Sequence, residues 1–320
     1  MYFNEVFEII NEGVSLALSY FIDTEKRIHI LYLFSSLLLA FFIYKKTKIK
    51  GSFWKYVFNK RIWLSKSALI DYGLFIFNSF LKILLLAPYV VFSLYIAFYT
   101  NEMLLQGFGF PQSSLNVTLT IILYTITLTI INDFSVFIVH YLLHKVPILW
   151  EFHKIHHSAT TLNPFTQYRI HPIELIINNI RSIVVFGLIT GLFDYLSAHQ
   201  INKLVFLGVN VFSFIFLLFG ANLRHSHVKL RYPKIIEYLL ISPYQHQIHH
   251  SDNPKHFNKN MGSKLAIWDW MFGTLVLSKS ASKIKFGIGK ETRKYNSLLS
   301  NLWNPFKNIL QIITRNKQRT

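Results

Sequence analysis

The chain contains no cysteine in 320 residues. Disulfides, Fe–S clusters, thiolate-ligated haem and Cys-ligated zinc are therefore excluded. Glycine and proline are scarce, at 13 and 9 residues, which rules out collagen-like, low-complexity and turn-dense all-β designs. Charged residues make up 15%, against roughly 25% in an ordinary soluble domain. Acidic residues are the scarcest of these: 15 Asp and Glu stand against 33 Lys and Arg, a net charge of +18 with histidine neutral. Apolar residues fill the gap, with 52% hydrophobic and 17% aromatic. A chain this basic either binds nucleic acid or carries positive charge beside membrane spans. Position along the chain decides.

The N-terminal MYFNEVFEII carries Glu5 and Glu8 in place of the basic start of a secretory signal. Residues 2–22 are expected as an interfacial helix or a marginal span. Residues 28–44 are apolar and long enough to cross, given the roughly 17–25 residues a span needs. Lys45, Lys46, Lys48 and Lys50 follow, so that loop is expected in the cytoplasm. Residues 63–81 mix Asp71 and Asn78 with aromatics and are expected in the interface. A second span is expected over 83–99, kinked at Pro88. The loop 100–116 has no Lys or Arg and should face outward, after which 117–139 returns the chain. Residues 183–193 and 204–220 read as a hairpin that dips into the membrane. No later stretch can span, and the tail is basic. The charge thus sits where membrane orientation places it, and no nucleic-acid partner is expected. The fold class is all-α and polytopic, with about four to five membrane-embedded helices under a cytoplasmic, histidine-rich helical cap. Residues 1–67 are expected as an N-terminal membrane segment and basic loop, 68–275 as the main helical domain, and 276–320 as a basic cytoplasmic tail.

Twelve of the 14 histidines fall in two short windows. HYLLH places His140 and His144 at i and i+4, on one face of a helix. HKIHH places His153, His156 and His157 at i, i+3 and i+4, and HQIHH repeats this with His246, His249 and His250. Neutral imidazole binds Fe, Zn, Cu and Ni. Eight histidines exceed the four positions of one structural zinc, so two metals sharing the set is the natural count. Packed without metal, they would leave buried nitrogens unpaired. His29, His199 and His256 belong to no box and are not expected as ligands.

HxxxH, HxxHH and a second HxxHH beyond a membrane hairpin resemble the fatty acid hydroxylase superfamily, also called the sterol desaturase family. Asp133, seven residues before His140, matches the family's lead-in. So do LWEFHKIHHS, with Trp150 and Ser158, RIHPIE, with Arg169, His171 and Glu174, SPYQHQIHHS, and IWDWMFGT, with Trp268 and Asp269. The resemblance covers roughly residues 70–306. It implies a di-iron, O2-dependent membrane enzyme that hydroxylates or desaturates a lipid C–H bond, on a fatty acyl chain or a sterol-like molecule. It makes the eight box histidines iron ligands and adds His225 and His227 from RHSHV. Asp133 and His171 become candidates for a layer that orients ligands, with Trp268 and Asp269 as packing and capping residues. Zinc is a possible substitute for the two iron ions. No flavin or dinucleotide fingerprint is present, because GFGF at Gly107 is too short, and there is no fused haem domain. A separate reductase, ferredoxin or cytochrome-like donor is therefore expected at the basic face. The enzyme is expected in a bacterial inner membrane, or the endoplasmic reticulum if eukaryotic, with its site on the cytoplasmic side and an apolar tunnel leading to the metals. The rival from another class is a non-enzymatic, histidine-rich metal-binding protein or transporter, which would need polar residues along a midplane path.

Overall fold

A computed structural model describes residues 2–111, 113–197, 205–206, 209–281 and 283–317. His199 lies outside the described residues. The chain is nearly all helical. The paired strands among the described residues are two residues each, Val205–Phe206 against Val209–Asn210.

Helix α1 (Tyr2–Ser19) leads to α2 (Ile30–Lys46). The third, α3 (Lys66–Phe108), runs 43 residues, starting where the Ser65 side chain accepts from Ala68 N and ending at Gly109 with φ +71°. The sequence divides this stretch into an interfacial piece and a span, but the helix is continuous. Asp71 and Asn78 do not break it because both are buried and hydrogen-bonded to neighbouring segments. Asp71 accepts from Arg169, Asn163 and Thr166, and Asn78 donates to the Ile170 carbonyl.

Helix α4 (Val117–Lys145) is capped by Asn116 and stops two residues before Pro147. Helix α5 (Pro147–His157) follows at once. Helix α6 (Pro172–Leu196) begins with the His171 ring accepting from Ile173 N. It starts eleven residues earlier than the apolar run at 183 suggests. Glu174, Asn178 and Arg181 are carried within it because their partners are internal: His153, the Glu174 carbonyl, and Asn132 with Ser135. Gly187 and Gly191 let α6 lie directly on α3. A Cβ on Gly191 would stand 2.3 Å from the Ala97 carbonyl oxygen, the close approach that small residues permit between membrane helices.

Among the described residues, three helical segments are long and apolar enough to cross a membrane: Lys66–Leu85, Val117–Lys145 and Pro172–Leu196. Helix α2, at 17 residues, sits at the lower limit of about 17. The expected return arm after 204 is only partly among the described residues. Its helix α7 (Val211–Leu218) has eight residues, about 12 Å of rise, and packs Phe214, Phe216 and Leu217 on Tyr32 of α2 instead of crossing.

The cap is built from α5, a turn at Ala221–His225, α8 (Pro243–His249) and α9 (Ile267–Met271). Arg169, 1% exposed, bolts it to the helices. Its guanidinium donates to the Ile155 carbonyl, Ser158 Oγ and Asp71 Oδ1, at 2.8, 2.8 and 3.1 Å. The C-terminal α10 (Leu298–Lys317) folds back on α5 and α3, with Leu298 and Leu302 against Ile70, Leu74 and Ile155.

Candidate metal centre

The helical spacing of the boxes does what the sequence predicts. The last two turns of α4, the end of α5 and all of α8 converge, and their rings interleave in two groups. His140, His144, His153, His157 and His249 place one nitrogen each within 4.8 Å of one another. His156, His225, His246 and His250 do the same. The groups touch, with the His157 and His250 rings stacked at 4.7 Å. All eight box histidines and His225 are thereby brought together. His227 belongs to neither group. The turn ends at His225 and the backbone is extended at Ser226, which carries the His227 ring outward to an edge-on contact with Tyr56 at 4.6 Å.

The outer nitrogens fix the inner ones. His140 Nδ1 donates to the Met261 carbonyl at 2.7 Å, His249 Nδ1 to the Lys259 carbonyl at 2.8 Å, and His153 Nδ1 to Glu174 Oε1 at 3.0 Å. Asn258 bonds His144 from its side chain and adopts a positive φ of 56°. A neutral imidazole has one proton, so an Nδ1–H spent outward leaves a bare Nε2 lone pair inward. Yet His140 and His153 face each other Nε2 to Nε2 at 3.1 Å, and the buried His249 Nε2 has no partner among the described residues. Lone pairs aimed at each other in a buried site repel unless a cation lies between them. This donor set fits a metal, and its borderline nitrogen character suits iron or zinc.

The second group is braced differently. Arg224 donates to His246 Nδ1 at 3.1 Å, and His250 Nδ1 has no partner among the described residues. Burial, followed by neighbouring histidines, pushes His153, His157, His249 and His250 well below the ordinary imidazole range. His225 and His246 go the same way, with Arg224 adding to the effect. His156 falls to about 3, mainly through burial and then His140. Neutral rings are the form that binds metal. Unfolding restores the usual value of 6.5, so below that pH the unfolded chain takes up protons that the folded chain refuses. Metal-free protein should hold full stability above about pH 6.5 and lose it steadily as pH falls toward 3; thermal melts from pH 8 to 4 check this.

Two expected supports bond no box histidine among the described residues, Asp133 being the first. It accepts from Lys264 N and Leu265 N at 3.1 and 3.0 Å and from Trp268 Nε1 at 3.0 Å. Asp269 takes Met261 N, Gly262 N and Thr274 Oγ1. The two carboxylates pin the strap 261–265, whose Met261 carbonyl holds His140. His171 likewise reaches no box histidine: its Nε2 donates to the Leu302 carbonyl at 3.1 Å, and its ring packs on Phe152 and Phe306. Its role is to start α6 and seat α10. Glu174 does contact a box histidine directly, three residues on in the same motif. We expect Glu174→Gln to cost about 10- to 100-fold in metal affinity or activity, measured by titrating metal back into stripped protein.

Two cavities meet the histidines from opposite sides. One, of about 340 Å³, is polar and touches His140, His153, His156, His225 and His246. The other, about 370 Å³, is lined by His144, His157, His249, Trp150 and Lys154. The large apolar groove, about 730 Å³, runs between α4 and α7 past Ile130, Phe212 and Ile215. It reaches no box histidine, contrary to the expected apolar tunnel. The strap is the partition: Gly262 and Ser263 face the polar cavity, Lys264 and Leu265 the groove.

Residues 125–274 match the family model described as fatty acid hydroxylase. An ornithine lipid hydroxylase of Rhizobium tropici is similar, 29% identical over 177 residues, which cover 55% of this chain and 48% of that protein. Alkylglycerol monooxygenases of Xenopus tropicalis and Caenorhabditis elegans are 29% and 27% identical over 156 and 167 residues, about half of this chain and 31% and 30% of theirs. The match thus spans half the length of these relatives or less. No solved structure matches.

Proposed function

Because residues 125–274 match the fatty acid hydroxylase family model and three helices among the described residues are long and apolar enough to cross a membrane, we propose that this protein is a di-iron lipid hydroxylase. Its reaction would insert one oxygen atom of O2 into a lipid C–H bond, while two electrons and two protons reduce the other atom to water. The observation that carries this reading is the bare Nε2 lone pairs that His140, His153 and His249 turn inward. His140, His144, His153, His157 and His249 would hold one iron, and His156, His225, His246 and His250 the other. Bound there, iron supplies oxygen reduction and C–H oxidation. The chain's own residues do the rest. Met261, Lys259 and Glu174 fix the ring orientations, and burial of all but the half-buried His140 and His144 limits water at the reacting carbon. Hydroxylation is the form named in the relatives; desaturation by the same centre would release water and add no oxygen to the product.

The catalytic unit is residues 68–275, and electrons enter from a separate donor on the side of the Trp150 and Lys154 cavity. That side is the cytoplasmic one on the Lys/Arg asymmetry of the loops. A cysteine placed at Ser113 in this cysteine-free chain should react with an impermeant label from outside intact cells; labelling only after permeabilisation would invert the orientation. The function is tested by measuring metal per chain and O2 uptake on adding reductant and membrane lipid. Two irons with lipid-dependent uptake and a hydroxylated product support it. Metal without oxygen uptake would instead mark a metal-binding scaffold, and zinc-filled preparations should be inert until exchanged for iron.

A further inference from the structure

The polar cavity against the histidines carries more positive charge than the metal site accounts for. Lys26, Arg27, Lys82 and Arg224 line it, against the carboxylates Glu25 and Glu174. Glu174 is engaged by His153, and the exposed Glu25 has an interaction of its own. Arg224 is occupied, donating to the Gly262 and Ser263 carbonyls. Lys26 has a carboxylate partner in Asp23 at 3.2 Å. Arg27 and Lys82 differ. No side-chain hydrogen bond or ion pair of the Arg27 guanidinium exists among the described residues. The Lys82 ammonium donates to the phenol of Tyr20 and lies over the Tyr20 and Tyr168 rings at 4.9 and 5.8 Å. Asp133 on α4 already has three donors. Cations held inside a protein without matching anions are costly, and an arginine fork suits a carboxylate or a phosphate.

We propose that Arg27 and Lys82 form an anion-binding site beside the metal centre, which recognises the carboxylate or phosphate headgroup of the lipid. The inference rests on the lipid hydroxylase reading for its ligand's tail, not for its charge. Both residues lie outside the segment that matches the family model, one on the α1–α2 connection and one on α3. Substrate selection is thereby supplied by the helices surrounding the shared domain. It also follows that the carbon oxidised lies close to the headgroup, since one cavity touches both the cations and five box histidines.

The test is binding, kept apart from turnover. Full-length metal-loaded protein in nanodiscs is titrated with a fluorescent N-acylglycine. Competitors are an unlabelled N-acylglycine, a lysophosphatidic acid and an uncharged monoacylglycerol of the same acyl length, with inorganic phosphate as a tail-free probe. The charged lipids should compete about tenfold or more better than the neutral one, the scale of a hydrogen bond to a charged group. Arg27→Gln should abolish that preference and leave monoacylglycerol binding and metal content unchanged, and Arg27→Lys should restore part of it. Lys82→Gln, on a different helix, should weaken the charged lipids likewise, so the result does not hang on one variant's folding. Displacement by inorganic phosphate alone, with the same Arg27 dependence, would keep the anion site and assign it to a soluble ligand. Equal competition by charged and neutral lipids, or uniform weakening of all three by Arg27→Gln, overturns the proposal. Headgroup-selective binding without any oxygenation would leave it standing and sink the hydroxylase reading instead.

Discussion

Replacing His157 by Ala should abolish turnover and strip one of the two metals, while the protein still inserts in the membrane. His157 contributes to the five-histidine group, and its Nε2 lies 3.2 Å from that of His153. It also stacks on His250 of the other group, so its loss reaches both. The spans are set by apolar length on α3, α4 and α6, none of which contains it. Metal analysis of the purified variant should therefore fall from two ions per chain toward one, with unaltered helix content by circular dichroism. A His157→Ala protein with full metal and full turnover would sink the two-metal assignment at its centre. His29→Ala is the matching control: that ring caps α2 by accepting from Leu31 N and should leave metal content and activity unchanged.

The second large effect is expected at Asp133, a residue that touches no metal ligand. Its carboxylate accepts from two strap amides and one indole and is 1% exposed. Asp133→Asn keeps the shape but turns one acceptor into a donor facing donors. Each buried group left unpaired costs roughly 1–3 kcal/mol. The strap should loosen, and with it the Met261 carbonyl that orients His140. We expect lower thermal stability together with faster metal loss to a chelator, larger in both respects than for Glu174→Gln. If Asp133→Asn lost stability but held metal like the unmodified protein, the strap would be a wall only, with no part in bracing the centre.

These two residues also show what a sequence reveals and what it hides. The boxes were legible because helix geometry turns i, i+3, i+4 spacing into one face, a local rule that needs no fold. The split into groups of five and four was not, since it depends on how α4, α5 and α8 cross. Asp133 was visible as a costly carboxylate in an apolar helix, but its partners are amides some 130 positions away. The carbonyls of Lys259 and Met261 left no signal at all, because every residue has one. Glu174 had a weak signal: a carboxylate in the first turn of a membrane helix needs a partner, and the histidine boxes supplied the candidates. Reading 63–81 and 183–193 as interfacial or short came from weighing polar residues as exposed, when buried partners let the helices run on.

The bracing by main-chain carbonyls has a consequence for how this scaffold can diversify. Two of the outer bonds on the five-histidine group, at His140 and His249, are made by backbone oxygens, which no codon change can remove. The Lys259 side chain has a separate bond, to the Gly273 carbonyl, so its replacement need not disturb the ring its own carbonyl holds. Substitutions in the cavity walls and surrounding helices can therefore accumulate without turning these two rings, because the acceptors that hold them belong to the main chain itself.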